Sequence, residues 1–391
     1  MKNFFKSKKV KNELALVLDI GSSSVGGAFF LIQPNGTPKI LYSIREQIPI
    51  EDELNPDKLL IVTLKALKVV VSTACMKGMG TPSRIFCVLS SPWYASQTRV
   101  IKLEKNTPFV FTTKLADSLI QKEIALFQEE SVVAGNGNSK VRAIELKNMK
   151  TVLNGYATHK PQGQKAKELE MTIFISMSEE DFLVSVEEIV MTHFHIEEIK
   201  FSSFIMAAFT VTRDMFVHKE NFLLVNIGGE VTDISMIKKD AVKEAISFPA
   251  GRNFIFRGLT QALKCSLVEA KSYISLYKDG HMSDTSLAKV EPVINKIKEK
   301  WLSQFQEAIA NLTSDISIPA TVFISVDHEL VNFFSEIIKT EEFNQYTLTE
   351  SKFRVVFLGV QALHGIAVFD GEVNRDPFLI IESIYINNFL G

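Results

Sequence analysis

The chain has 391 residues, of which 46% are hydrophobic and 23% are charged, a balance typical of folded globular proteins and unlike that of disordered or disulfide-stapled chains. Because this length exceeds what one hydrophobic core usually serves, we expect two or more domains. A net charge of -2 gives no general attraction to nucleic acid, and the three cysteines lie at no metal-binding or redox spacing.

The N-terminal segment, residues 1–13, combines apolar and basic residues without a following apolar stretch of signal-peptide length. It fits two descriptions equally: a tether to an anionic membrane, or a flexible, solvated basic tail. The residues of such a tether are Phe4, Phe5, Lys6, Lys8 and Lys9. No run of about 18 uncharged apolar residues occurs, so we expect a cytoplasmic protein, with at most peripheral attachment to the inner face of the cell membrane.

The first elements predict a strand meander followed by a helix. Residues 14–18 form an apolar run that ends at Asp19 and a Gly/Ser turn, as a buried strand does. Residues 27–32 and 39–44 flank a Pro-Asn-Gly turn and predict an antiparallel hairpin. The Asn-Pro-Asp sequence at 55–57 is a helix start.

The composition and hydrophobic pattern change in the middle of the chain. Residues 98–195 contain polar segments and Gly/Asn-rich turns around an apolar strand at 171–177, which predicts a separate small α+β unit. The opening pattern then returns, because the VNIGG sequence at 225–229 parallels LDIG at 18–21 and each is followed by a second strand. Such a duplication predicts two facing lobes with a ligand between them.

A Gly/Ser turn after a buried strand presents backbone N–H groups and hydroxyls to an anion, and a nearby carboxylate can hold the accompanying metal. Either turn alone is a common structural feature, and the pair is the stronger signal. Both turns consist of small residues. These are Gly21, Ser22, Ser23 and Ser24 in the first turn, and Gly228 and Gly229 in the second.

These residues carry a family resemblance. LDIGSSSVGGAFF resembles the first phosphate motif of the actin-like ATPase superfamily, and VNIGGEVTDISMI resembles the second. The order of parts is most similar to the cell-division protein FtsA, which has a small subdomain inserted before the second motif. IEEIKFSSFIMAAFTV resembles the helix connecting the lobes, and FLGVQALHGI the second connecting helix. The resemblance implies an α/β, two-lobed actin-like fold, duplicated and ribonuclease H-like, with a small inserted α+β subdomain and ATP with Mg between the lobes.

The resemblance also supplies domain boundaries and site residues. The expected divisions are the N-terminal segment 1–13, the first lobe 14–97, the inserted subdomain 98–195, the connecting helix 196–216, the second lobe 217–352 with a helical subdomain at 253–318, and a second connecting helix with a closing segment at 353–391. The implied nucleotide-binding residues are Asp19, Gly21, Ser22, Ser23, Ser24, Asn226, Gly228, Gly229, Thr232, Asp233 and Glu269, with Asp19 as the metal ligand.

Several positions depart from the family pattern. Asn226 replaces an aspartate, Glu230 replaces a glycine and is expected to place a carboxylate where phosphates would lie, and Ser272 replaces a lysine. Loss of a metal carboxylate weakens metal binding. We therefore expect at most a weak ATPase, and the resemblance assigns no catalytic residue. The last segment, DPFLIIESIYINNFLG, has no Lys or Arg and is expected to form a closing strand or a packed segment.

Three functions remain open. The first is an FtsA-like scaffold that self-associates into an oligomer or filament and links a tubulin-like, FtsZ-like division filament to the inner membrane. The second is a scaffold similar to the pilus-assembly protein PilM, which binds the cytoplasmic tail of a membrane protein. The third is an ATP-dependent phosphotransferase, which would need intact metal carboxylates and a positioned base.

Overall fold

The computed structural model describes residues 13–34, 36–134, 140–196, 198–312, 318–340 and 352–390. The predicted N-terminal tether therefore lies outside the described residues. The chain begins with β1 (Glu13–Ile20), β2 (Ser24–Ile32), β3 (Lys39–Gln47), α1 (Pro56–Met76) and β4 (Arg84–Leu89). The predicted hairpin is confirmed, since β2 and β3 pair antiparallel. The predicted helix start is also confirmed, because the side chain of Asn55 accepts a hydrogen bond from the Lys58 N–H at 2.9 Å.

A second sheet follows, formed by long antiparallel strands. Its elements are β5 (Ala95–Val110), α2 (Thr113–Ala134), β6 (Val141–Leu153), β7 (Tyr156–Ala157) and β8 (Lys165–Glu179), and the strand order is β5-β8-β6-β7. The next helix, α3 (Glu180–Phe194), buries Leu183, Val186 and Val190 in the core of the first lobe beside α1. The apolar face of α3 thus joins it to the first lobe, although the boundary at residue 195 assigns it to the inserted subdomain.

The segment expected to be one connecting helix at 196–216 has two parts. Ile199–Ser203 is a strand, β9, and the helix α4 (Phe204–Met215) begins only after it. The helix expectation was wrong for the first part because Ile199 pairs with Ile85 and extends the sheet of the first lobe by one parallel strand.

The second lobe follows in chain order. Its elements are β10 (Phe222–Ile227), β11 (Thr232–Lys238), β12 (Ala241–Phe248), α5 (Arg252–Leu263), α6 (Leu267–Lys278), α7 (Asp284–Asn311), β13 (Thr321–Ser325), α8 (Val331–Thr340) and β14 (Arg354–Phe357). A short 3₁₀ turn at His328–Leu330 precedes α8.

The last elements are a short strand, β15 (Val368–Phe369), and the helix α9 (Pro377–Leu390). The second connecting helix expected at FLGVQALHGI is wrong, since this stretch forms turns and Gly365 has a φ of 85°, a left-handed conformation that ends helices. Of the two expectations for the last segment, the closing strand is wrong and the packed segment is confirmed, since α9 is a helix whose apolar residues are buried. Asp376 caps a helix there, accepting from the N–H groups of Phe378 and Leu379 at 3.0 and 3.2 Å, with Pro377 in the first turn.

The duplication predicted from sequence is confirmed by the strand order of the two large sheets. The first sheet has the order β15-β3-β2-β1-β4-β9 and the second has β12-β11-β10-β13-β14. In the first sheet β1 pairs antiparallel with β2 and parallel with β4, and in the second β10 pairs antiparallel with β11 and parallel with β13. The fold is therefore the α/β, two-lobed, duplicated arrangement with an additional small sheet.

One hydrophobic cluster runs between the two large sheets. It contains Phe86 from the first lobe, Phe323 from the second, and the buried faces of α4 and α9 between them. Among the described helices, α1 has the length and apolar composition of a membrane span. It packs Leu67, Val70 and Val71 into the core of the first lobe, as a core helix does.

Candidate functional site

The two predicted phosphate loops have the same turn. The Gly21 N–H donates to the carbonyl of Ser24 at 3.1 Å, and the Gly228 N–H donates to the carbonyl of Val231 at 2.9 Å. Both loops follow the carboxyl end of a central strand, β1 in the first lobe and β10 in the second. Such loops meet at the crevice beyond the strand ends, where ligands of α/β sheets bind.

The two loops contact each other directly. The Glu230 N–H donates to Ser22 Oγ at 3.0 Å. A Cβ added to Gly229 would lie 2.6 Å from the Ser22 carbonyl carbon and 2.6 Å from the Ser23 nitrogen. Contacts this close leave no room for a phosphate group between Gly229 and the first loop.

The N-terminus of α5 is already bonded to the second loop. N–H groups at a helix start are unpaired within the helix and commonly bind phosphate. Here the Arg252 N–H donates to the Gly228 carbonyl and the Asn253 N–H to the Gly229 carbonyl, both at 2.9 Å. The donors of this helix start therefore bind protein carbonyls.

Asp19, the predicted metal ligand, forms an ion pair. It is 3% exposed, and its Oδ2 lies 2.7 Å from Nη2 of Arg45 on β3. The same guanidinium donates to Ser24 Oγ at 2.9 Å and pairs with Asp376. Burial raises the pKa of Asp19, and the Arg45 charge opposes that rise.

Sheet register explains how these charges meet. Asp19 pairs with Gly26, and Gly26 pairs with Arg45, so the three residues lie side by side on neighbouring strands. Side chains of paired residues share one face of a sheet. Because Gly26 has no side chain, the Arg45 guanidinium crosses it to reach Asp19.

A fourth ionisable residue, Glu382 of α9, completes this group, which we call the Arg45 cluster: Asp19, Arg45, Asp376 and Glu382. Glu382 is fully buried. Burial raises its pKa well above the ordinary value, and the nearby Asp19 raises it further. The ion pairs of Arg45 are with the other two carboxyl groups of the cluster, Asp19 and Asp376.

The expectation for Glu230 was wrong. Its carboxylate accepts from both terminal nitrogens of Arg257 and from Asn253 Nδ2, the latter at 2.7 Å. It is 4% exposed. A buried carboxylate needs such partners, and both Arg257 and Asn253 lie on α5. The side chain of Glu230 is thus directed toward α5 and does not line the cleft.

Asp233 forms a bridge between the lobes, supported by Asn226. Ser91 of the first lobe donates to Asp233 Oδ1 at 2.7 Å, and Asn226 Nδ2 lies 3.4 Å from the other oxygen. Asn226 also accepts from Ser325 at 3.1 Å. Burial raises the pKa of Asp233 to about 6, and the bonds from Ser91 and Asn226 oppose the rise.

Little space remains between the lobes. The cleft has a volume of about 30 Å³, whereas sites for small molecules measure roughly 300–1,000 Å³. Asp327, which lines the cleft, pairs with Arg252, and Arg252 also donates to Gln47 of the first lobe at 3.0 Å. No group of three or more metal-ligating side chains occurs in the described ranges. The residues present therefore do not fit a nucleoside triphosphate with magnesium.

The structure separates the predicted site residues into three groups. Those that line the cleft are Asp19, Gly21, Ser22, Ser23, Ser24, Asn226, Gly228 and Gly229. Thr232 and Asp233 are buried behind it, with Thr232 bonded to the Ala250 carbonyl at 2.8 Å. Glu269 is elsewhere, because it forms a capping box with Ser266 at the start of α6, and these bonds lower its pKa.

Sequence reasoning missed the cations of the site. Arg45, Arg252 and Arg257 each pair with an acidic residue at or beside the cleft. Little in the sequence indicates these partners. Arg45, for example, lies in β3, whose pairing with β2 shifts at a bulge after Phe29, so its neighbours across the sheet could not be read from the sequence. Asp376 could have been found, because Asp-Pro is a helix-start sequence.

A much larger cavity lies outside this cleft. It has a volume of about 730 Å³ and is open, lying between α5, α7 and the loop at Asp52, Glu53 and Leu54. Arg257 lines this cavity and pairs with Glu230 of the second loop.

A groove of about 400 Å³ separates β6 from β9; we call it the β6–β9 groove. β9 is the outer strand of its sheet, and among the described strands β6 pairs on its second side only at Val152 and Leu153, with β7. Two strand edges therefore flank the groove. Glu145 closes one end, accepting from the Ser203 N–H at 3.1 Å, the Ser203 hydroxyl and Tyr385.

The lining of the β6–β9 groove mixes charge with aromatic surface. Lys147 lies 3.8 Å from the ring centre of Phe389, and Arg142 pairs with Glu187 at 2.8 Å. Phe389 is 58% exposed. Burial lowers the pKa of Lys147, and Glu145 opposes this shift.

No model of a known protein family matches the sequence, and no curated protein matches it significantly. Solved structures do match. The PilM-PilN type IV pilus biogenesis complex aligns at 11% identity with a TM-score of 0.61, covering 96% of this chain and 99% of that one. A protein of actin-like ATPase fold and unknown function from Bacteroides thetaiotaomicron aligns at 10% identity over 98% of this chain and 99% of that one, with a TM-score of 0.43. The chain thus has the two-lobed actin-like fold.

Proposed function

We propose that the protein is a non-enzymatic scaffold of the actin-like fold that binds an extended segment of a membrane protein's cytoplasmic tail, as a PilM-like pilus-assembly protein would. The observation that carries the proposal is the β6–β9 groove with its two strand edges. An exposed strand edge offers backbone N–H and C=O groups to an added peptide strand.

The groove chemistry favours a peptide over a small molecule. Lys147, Arg142 and Lys200 line it together with Glu187 and Glu198, so both charge signs are available to a polar chain. The exposed ring of Phe389 supplies an apolar anchor of the kind that dominates protein interfaces. The likeness to the PilM-PilN complex over nearly the full length of both chains supports the PilM-like choice.

The test is the affinity of the full chain for synthetic tail peptides of pilus membrane proteins, measured by calorimetry. Phe389→Ala is expected to weaken binding about tenfold, as loss of an interface anchor does. Tyr156→Ala, which removes an aromatic ring that is 79% exposed in the inserted sheet, is the matched control. Equal effects of the two substitutions, or no binding to the wild type, would contradict the proposal.

The same assay separates the alternatives. A cell-division scaffold would bind the tail of a tubulin-like division protein in place of the pilus peptide. Self-association into an oligomer or filament stays a prediction for either scaffold, and analytical ultracentrifugation tests it. A phosphotransferase is disfavoured, because the cleft of about 30 Å³ has no space for a nucleotide and an acceptor.

We further infer a cytoplasmic protein held at the inner face of the membrane. The basis is the sequence of the N-terminal segment, where Phe4 and Phe5 precede Lys6, Lys8 and Lys9. Each basic residue near an anionic surface contributes about 1 kcal/mol. Co-sedimentation with anionic and neutral vesicles tests this. Equal binding by the full chain and by a chain lacking residues 1–12 would exclude the tether.

A further inference from the structure

We propose that the chain's own residues take the place of magnesium and nucleotide between the lobes, so that the lobes stay closed without a ligand. Arg45 supplies the cation at Asp19, and the Gly228–Gly229 loop fills the phosphate position against Ser22 and Ser23. This inference concerns the cleft and does not depend on the β6–β9 groove.

The first step is the charge at Asp19. A carboxylate at this place would serve a divalent cation through its oxygens or through bound water. Its Oδ2 instead lies 2.7 Å from an Arg45 nitrogen, and Arg45 is held on its other sides by Ser24 and Asp376. A guanidinium is permanently charged, and this one contacts two buried carboxylates, so a metal ion would have to displace it.

The second step is the volume between the loops. Gly229 lies so close to Ser22 and Ser23 that even one methyl group would meet backbone atoms at 2.6 Å. A Cβ on Gly251 would lie 2.4 Å from the Gly228 carbonyl oxygen, so the loop is also confined by the residue directly before α5. The Gly228–Gly229 loop therefore cannot withdraw unless α5 moves with it.

The third step is the bonding across the cleft. Ser91 to Asp233 at 2.7 Å and Arg252 to Gln47 at 3.0 Å each join the first lobe to the second. Thr98 of the inserted sheet donates to the Val242 carbonyl at 3.0 Å and adds a third connection. A phosphate group entering the cleft would separate these partners and leave buried polar groups unpaired.

The first experiment uses the full wild-type chain. Calorimetry and thermal melting are recorded with magnesium and ATP, magnesium and ADP, ATP with a chelator, and magnesium alone, each at millimolar concentration. A closed cleft predicts no binding heat and an unchanged melting temperature in every arm. Magnesium-dependent binding of either nucleotide, with a rise in melting temperature, would overturn the proposal.

The second experiment measures amide hydrogen exchange in peptides that cover residues 226–233. Wild-type exchange there should be slow and unaffected by nucleotide, because the Glu230 N–H is bonded to Ser22. Arg45→Ala should accelerate it several-fold, since the buried carboxylates of Asp19 and Asp376 lose their cation. Arg84→Ala removes an arginine paired with Glu13 at 3.4 Å, away from the cleft, and should leave it unchanged. Unchanged exchange in folded Arg45→Ala would also overturn the proposal, and if that variant does not fold the wild-type measurements decide.

Discussion

Two glycines beside the cleft differ in what a side chain would meet. A Cβ on Gly26 would lie 2.8 Å from Nη2 of Arg45, the flexible end of a long side chain. A Cβ on Gly229 would meet the backbone of Ser22 and Ser23, which moves only if the whole loop moves. Absence of a side chain is therefore a stricter requirement at Gly229 than at Gly26.

Gly229→Ala is expected to lower the free energy of unfolding by about 1–3 kcal/mol, the usual cost of overpacking. Urea unfolding followed by circular dichroism measures it. The control is Gly258→Ala in α5, where the nearest neighbours of the new methyl group are side-chain atoms of Ile297, Cδ1 at 2.8 Å and Cγ1 at 3.0 Å. Alanine is also favoured over glycine in helices by about 1 kcal/mol. A smaller loss for Gly229→Ala than for Gly258→Ala would show that the loops are not in contact.

Burial of the Asp233 carboxyl group makes stability depend on pH. The pKa of Asp233 rises from 3.8 to about 6 on folding, so the folded state binds the proton more tightly than the unfolded state. Stability therefore falls as pH rises from about 4 to about 6 and is then constant with respect to this group. Between about pH 5 and about pH 7.5 the loss is on the order of 1 kcal/mol.

Asp233→Asn should remove this part of the pH dependence. The difference in free energy of unfolding between wild type and variant is expected to change by about 1 kcal/mol between the two pH values. Asp117→Asn, at an exposed position of α2, is the control and should show no such change. An identical pH profile for wild type and Asp233→Asn would refute the assignment.

Among the secondary-structure elements, the buried strands and the first loop could be predicted from the sequence. The elements of the C-terminal third could not be predicted as well. The runs at 14–18 and 222–225 are continuous, apolar and bounded by Gly-rich turns, so buried strands were the natural interpretation. The α9 segment buries apolar residues on more than one side because it packs on the first sheet and against α4. Such a segment has no periodicity that separates a helix from a strand.

The ion pair between Arg45 and Asp19 could not be predicted from the sequence. Arg45 meets Asp19 only because β2 and β3 pair in one register, and a bulge shifts that register within the same hairpin. A shift by one residue would turn Arg45 to the opposite face of the sheet. Motif matching found Asp19, whereas its partner depends on pairing that local sequence does not determine.

Glu145 connects three elements, namely β6, β9 and α9. It accepts bonds from Ser203 and Tyr385 while being 8% exposed. A bulge between Ala143 and Glu145 gives the strand this orientation. The inserted sheet is thereby attached to the first lobe by a buried carboxyl group.

Glu145→Ala is expected to lower the free energy of unfolding by about 1–3 kcal/mol, because buried donors on Ser203 and Tyr385 lose their acceptor. It should also speed hydrogen exchange in β9. Glu104→Ala, at an exposed position of β5, is the matched control. If both variants unfold at the same urea concentration as wild type, the hydrogen bonds of Glu145 do not contribute to the free energy of unfolding.

For the whole molecule, the shared hydrophobic cluster makes the lobes one cooperative unit. Phe222 and Phe323 of the second lobe pack in the same cluster as Ala15 and Phe86 of the first, through α4 and α9. Lobes joined only by a hinge would unfold separately, but lobes with a common core unfold together.

Scanning calorimetry of the wild type is expected to show one transition. Phe209→Ala, at a residue of α4 that is 1% exposed within this cluster, should lower the stability of both lobes together by about 3–5 kcal/mol. The transition should move to lower temperature without splitting. Phe109→Ala in the inserted sheet, outside the shared cluster, is the comparison, and two resolved transitions in wild type would contradict a common core.

The two tryptophans of the chain give each lobe its own optical signal. Trp93 stacks on Phe182 with ring centres 4.7 Å apart and donates to the Gly21 carbonyl at 3.1 Å, so its indole is bonded to the first phosphate loop. Trp301 is fully buried in the second lobe and donates to the Ala250 carbonyl at 2.9 Å, next to the start of α5. With Trp301→Phe, the emission wavelength of Trp93 alone becomes a label-free reporter of the first loop, able to follow lobe separation in real time.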